Sequence, residues 1–141
     1  IYSSPLERAL ATALIIGEKR DLEPIVKYGL AELDYGNWSG LTDEEIERRY
    51  PGEIERREKN KFDYRIENGE SYRDCQQRGK NAIEEISKGE HSSVLIVSHE
   101  MIGRVMIGYF MNSSNEDMLK IKEICLITIN DAIKRKVEIV S

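Results

Sequence analysis

The stretch that most constrains this chain is Val94-Leu95-Ile96-Val97, followed at once by Ser98-His99-Glu100. A short apolar run rich in β-branched residues predicts a strand covered on both faces, the setting of a parallel sheet. Polar residues at its carboxyl end precede Ile102, Val105, Met106, Tyr109 and Phe110, which recur at helical spacing. The pattern predicts a strand, a loop at the sheet's ligand-binding edge and a helix with those five residues inward.

The remaining segments supply neighbours for that unit. Ile1-Tyr2 reads as the tail of a strand running into Ser4-Pro5-Leu6-Glu7, a helix start with Ser as cap, Pro in the first position and Glu placed for a capping box. Leu6, Leu10, Ala13, Leu14 and Ile16 then predict one inward face, ending near Gly17. Ile25 to Leu33 predicts a strand, leading into the turn-rich loop Asp34 to Gly40. Thr42 to Glu45 predicts a capping box on a helix that stops before Pro51, with residues 52–68 a polar surface excursion whose charges face solvent. Ser71 predicts the cap of a helix with Cys75, Ala82, Ile83 and Ile86 inward, ending near Gly89. Cys125 to Ile129 and Val137 to Val140 predict two strands joined at Asn130-Asp131. Helices and strands in this order predict a three-layer α/β/α sandwich with a mainly parallel sheet and an antiparallel contribution near the end.

Length and charge narrow the function classes. At 141 residues the expectation is one domain spanning 1–141. A net charge of -5, with basic and acidic residues interleaved, gives no footprint for nucleic acid. No apolar run nears the roughly 20 residues that span a bilayer, and no signal peptide opens the sequence, so no membrane role and a cytoplasmic location are expected. The two cysteines, Cys75 and Cys125, lack metal-site spacing, and neither a metal nor another cofactor is implied.

Ligands of open α/β sheets gather beyond the carboxyl ends of strands, where helix N-termini present free amides. Two such points stand out: Ser3-Ser4 with Arg8 a turn further on, and Ser98-His99-Glu100; Glu32 is placed to supply a proton. Taken singly, each has a plainer reading. Arg8 is then an exposed helix residue, Glu32 a solvated acid and His99 a strand-end histidine bonded to backbone. Trp38 and Tyr35 read as loop-packing aromatics, Cys75 and Cys125 as core, and Arg104 as a partner for Glu70 or a solvent-facing residue.

SSPLERA at 3–9, LAELDYGNWSGLT at 30–42, GES at 69–71 and VSHE at 97–100, in that order and spacing, resemble successive blocks of the histidine phosphatase superfamily, the phosphoglycerate mutase-like proteins. The resemblance implies a phosphomonoester hydrolase acting through a phosphohistidine on a small phosphorylated metabolite. It implies Glu32 and His99 as catalytic residues, the first protonating the leaving oxygen and the second contacting the transferring phosphoryl group. It implies Arg8, Ser3 and Glu100 as substrate- or phosphate-binding residues.

Two departures from the pattern bear on this. The family's opening strand and its Arg-His-Gly motif, which carries the nucleophile, are absent from the 141 residues, and His91 lies in a loop unable to replace it. These residues alone are therefore expected to be inactive. Glu100 also stands where many members have Gly, a carboxylate that shapes or restricts the substrate. The resemblance implies a mixed sheet whose missing first strand would lie between the strands at 94–97 and 125–129. Two bare edges there predict an additional segment, a homodimer or strand exchange with a neighbour, or closure of the gap. The short 50–68 region favours a phosphatase over a phosphoglycerate mutase. The reading from a different class is a catalytically inactive phosphate-binding or interaction module.

Overall fold

The computed structural model describes residues 1–121 and the backbone of two later strands, Leu126–Asn130 and Lys136–Val140. Strands β1 (Tyr2–Ser3), β2 (Ile25–Val26), β3 (Ser93–Val97), β4 (Leu126–Asn130) and β5 (Lys136–Val140) form one sheet in the order β2-β1-β3-β4-β5. β1 runs parallel to both its neighbours, with Tyr2 beside Ile25 on one side and Ile96 on the other. β3–β4 and β4–β5 are antiparallel. Six α-helices accompany these strands among the described residues: α1 (Glu7–Glu18), α2 (Asp43–Arg49), α3 (Glu53–Lys59), α4 (Tyr72–Ile86), α5 (Glu100–Phe110) and α6 (Asn115–Leu119). No described helix is long and apolar enough to cross a membrane.

Of the three solutions to the expected bare edges, the structure has the third. β3 lies directly against β4, pairing Ser93 with Asn130 through Ile96 with Ile127. Cys125 and the connection at 131–135 lie outside the described residues.

The chain divides into two compact units, residues 1–32 with 76–141, and residues 33–75. In the first, Ala9 and Ala13 pack on Val97, with Ile1, Ile16 and Leu95 around them. Ala13 and Ile16 face inward as expected and Ala9 joins them, but Leu14 is 46% exposed. The helix also begins later than expected. The Ser4 amide donates to the Val97 carbonyl at 2.9 Å, so it is not available to Glu7, the capping box does not form, and Leu6 occupies the cap position without a side-chain bond. On α5, Ile102, Val105 and Met106 are buried as expected, but Tyr109 and Phe110 are only half-buried. Ile107 is fully buried instead, and α6, which was not foreseen, seats Met118 against Gly108.

The expected strand 25–33 ends at Val26. Tyr28–Leu30 forms a 3-10 turn, and the following backbone leaves the sheet for partners on α4 and at the end of β3, described below.

In the second unit, the Thr42 hydroxyl accepts from the Glu45 amide and the Glu45 carboxylate accepts from the Thr42 amide, the foreseen capping box. Trp38, Ile46 and Ile66 are the buried centre, ringed by Tyr35, Leu41, Tyr50, Ile54 and Tyr64. Residues 52–68 are therefore no mere excursion: they contain α3 and contribute Phe62 and Ile66 to the interior. Nor do all their charges face water, because the Arg57 guanidinium lies 5.7, 6.0 and 5.9 Å from the Tyr35, Trp38 and Tyr72 ring centres. Gly36 (φ +47°) and Gly69 let two loops touch. A Cβ on Gly36 would meet the Glu67 carbonyl at 2.2 Å, and one on Gly69 would meet the Asp34 carbonyl at 2.5 Å. These contacts account for glycine in both sequence blocks without invoking chemistry.

Candidate active site

The parallel register of β1 and β3 brings Ser3-Ser4 and Ser98-His99 to one sheet edge. Ser4 leaves β1 with its hydroxyl accepting from the Leu6 amide at 3.2 Å, and that hydroxyl is hydrogen-bonded to His99 Nε2 at 2.7 Å. Ser3, beside it, is fully buried and its hydroxyl donates to the Ser4 carbonyl. The serine side chain at the imidazole is Ser4's.

His99 is the N-cap residue of α5, and Glu32 reaches the same helix end. Its carboxylate accepts from the Met101 and Ile102 amides, each at 3.2 Å. A carboxylate here satisfies two of the helix's orphan donors and sits at the positive end of its dipole. Burial holds the His99 imidazole below its usual pKa. The Arg8 and Arg78 charges push it the same way, and the Glu32 charge opposes them. Arg8 is exposed on the first turn of α1. The structure thus brings Arg8, Glu32 and His99 together electrostatically around one imidazole.

Glu100 is exposed and pairs with Arg104 one turn along α5. Arg104 therefore has neither of the expected fates. The Glu70 carboxylate instead accepts from the Asp34 amide. His91 bonds the Tyr2 hydroxyl at 2.9 Å. Cys75 is buried in the core, as its plainer reading had it, and Trp38 and Tyr35 pack in their loop. A cavity of about 300 Å³ in the second unit is lined by Trp38, Tyr50, Pro51, Glu53, Tyr64 and Glu67 and holds none of the expected site residues. Among the described residues no cluster of His, Cys, Asp or Glu is arranged to hold a metal ion.

Arg78, and the bond made by the foreseen Ser98, escaped sequence reasoning. Ser98 donates from Oγ to the Leu30 carbonyl at 2.6 Å, and Arg78 reaches the carbonyls of Gly29, Ala31 and Glu32. Both act on main-chain oxygens, which leave no trace in the sequence of the segment they hold.

A histidine at the carboxyl end of a parallel strand, capping a helix whose first amides bond a carboxylate, defines an α/β protein with polar groups gathered at the sheet edge where such folds bind ligands. The chain belongs to the histidine phosphatase superfamily (branch 1), whose family model it matches over residues 1–138. It is 37% identical over 107 residues to phosphoserine phosphatase 1 of Hydrogenobacter thermophilus, covering 75% of this chain and 51% of that protein. It is also 37% identical over 117 residues to fructose-2,6-bisphosphatase of Saccharomyces cerevisiae, covering 83% of this chain and 25% of that one. The chain thus spans between a quarter and a half of these two relatives. Among solved structures, YhfR of Bacillus stearothermophilus superposes with a TM-score of 0.79 at 25% identity, covering 98% of this chain and 70% of that chain. The alpha-ribazole phosphatase of Shigella flexneri gives a TM-score of 0.78 at 24% identity, covering 99% and 70%, a likeness of fold.

Proposed function

We propose that the chain forms the phosphate-binding and acid-base part of a phosphomonoester hydrolase that works through a phosphohistidine. The observation that carries this reading is the Ser4-bonded imidazole of His99 capping α5, whose first amides bond the Glu32 carboxylate, with the Arg8 charge acting on the same imidazole. Arg8 and His99 hold equatorial phosphoryl oxygens, where directed cationic donors stabilise developing charge. The Ser4 hydroxyl orients the imidazole, and Glu100 with Arg104 borders the substrate's far side.

In the first step an N–P bond forms on the accepting histidine while the ester P–O bond breaks and Glu32 gives its proton to the leaving oxygen. In the second step water attacks phosphorus as Glu32 takes back a proton, and the N–P bond breaks to release phosphate. The family resemblance assigns the accepting histidine to an Arg-His-Gly strand, a motif absent from these 141 residues.

The test compares residues 1–141 with the same chain preceded by an Arg-His-Gly strand, using p-nitrophenyl phosphate, phosphoserine and fructose 2,6-bisphosphate. The longer protein is expected to hydrolyse at least one ester and to trap acid-labile phosphate on histidine. Arg8→Ala and His99→Gln are expected to reduce its turnover at least 100-fold. Phosphate binding by the longer protein without any hydrolysis would support the inactive binding module instead.

A further inference from the structure

We propose that Arg78 is a positioning residue for this chemistry: from α4 its guanidinium fixes the main chain at residues 29–32 and thereby keeps the Glu32 carboxylate at the N-terminus of α5. The inference rests on the proposed acid role of Glu32 for its catalytic consequence, but not for its geometry.

The backbone needs such a hold. The last sheet bond of this segment is from the Lys27 amide to the Ser3 carbonyl at 2.9 Å. Beyond it the chain turns through Tyr28–Leu30 and leaves the ladder whose amides would donate to its carbonyls. Arg78 Nη1 donates to the Gly29 and Ala31 carbonyls at 3.0 and 2.8 Å, and Nη2 donates to the Glu32 carbonyl at 3.1 Å. Ser98 takes the one between, Leu30. Four successive carbonyls are thus held by two side chains.

A planar guanidinium can address three oxygens from one rigid group, which a single rotating ammonium cannot do in the same geometry. The fit to α4 is close. A Cβ on Gly29 would lie 2.6 Å from Ala82 Cβ and 3.1 Å from the Arg78 carbonyl, so the segment rests directly on the helix that carries the clamp. The clamped segment ends at Glu32, whose carboxylate then meets Met101 and Ile102. One arginine therefore links α4, the segment leaving β2 and the start of α5 beside His99.

The test uses Arg78→Ala, Arg78→Gln and Arg78→Lys. Amide hydrogen exchange at Met101 and Ile102, measured relative to Val97, is expected to accelerate at least tenfold in the Ala and Gln variants. Glu32→Gln is expected to accelerate it similarly, with little further gain in the double variant. Arg78→Lys should restore less than half of the protection. In the longer protein, Arg78→Ala is expected to lower kcat 10- to 100-fold with KM changed less than threefold, and to cost little in a Glu32→Gln background.

Unchanged exchange at both amides in any folded Arg78 variant would overturn the proposal, whatever the activity. Additive kcat losses in the double variant would also overturn it, since they would mean that Arg78 does not act through Glu32. If Arg78→Ala fails to fold, the Gln and Lys variants carry the exchange measurement. Failure of the phosphatase reading would show separately, as a longer protein with no turnover before any substitution.

Discussion

His99 is disfavoured as a cation by burial first and by Arg8 and Arg78 next, with Glu32 opposing. The sign for stability follows. Its folded-state pKa lies below the unfolded value of 6.5, so between the two the unfolded chain binds more protons. Stability falls as pH drops through that window. Urea midpoints are expected to decline below pH 6.5 in the native chain and less so in His99→Gln; equal declines would remove His99 from the account. If phosphate binds as proposed, it adds negative charge beside the imidazole, so binding should take up a proton. Calorimetric titration with inorganic phosphate in buffers of differing ionisation enthalpy is expected to show an uptake that His99→Gln diminishes. Ser4→Ala strips the partner from a part-buried imidazole nitrogen and from the Leu6 amide and should destabilise by about 1 kcal/mol in thermal unfolding. The positions of His99 at a strand end and Arg8 at a helix start were legible because those signals are local. Ser4's bond to His99 was not, because it joins positions 95 residues apart.

Among the elements, those whose signals lie within four residues were read best. The Thr42–Glu45 box was visible because cap and partner sit one turn apart, and Thr42→Ala is expected to cost about 1 kcal/mol in thermal unfolding. Ser4 carried the same type of signal and failed, since the β1–β3 ladder had already taken the amide that Glu7 needed. The strand expected within Ile25 to Leu33 stops at Val26 for a related reason: β-formers set a propensity, but the carbonyls of residues 29–32 go to Arg78 and Ser98. In 52–68 polarity concealed Phe62 and Ile66, apolar residues buried among charges.

At the level of the whole molecule, the sheet's mixed character was legible from the apolar run at 94–97 and the late pair of strands. The direct β3–β4 pairing was one of three outcomes that sequence alone could not rank. The second unit has roughly 40 residues, a size at which a core alone gives marginal stability. Trp38, the one tryptophan, lies in its centre. Its fluorescence is expected to change at lower urea than the loss of amide protection in β3; coincident transitions would show one cooperative unit. The bond from Arg78 to the Glu32 carbonyl has a wider consequence, because the chain departs from the first unit at Glu32 and returns at Gln76. Exit and re-entry are pinned at one spot, so an inserted stretch of another length adds little closure entropy. The first unit therefore offers two anchored ends a short step apart, from which a stretch of different length can leave and return while the Arg78 bonds stay as they are.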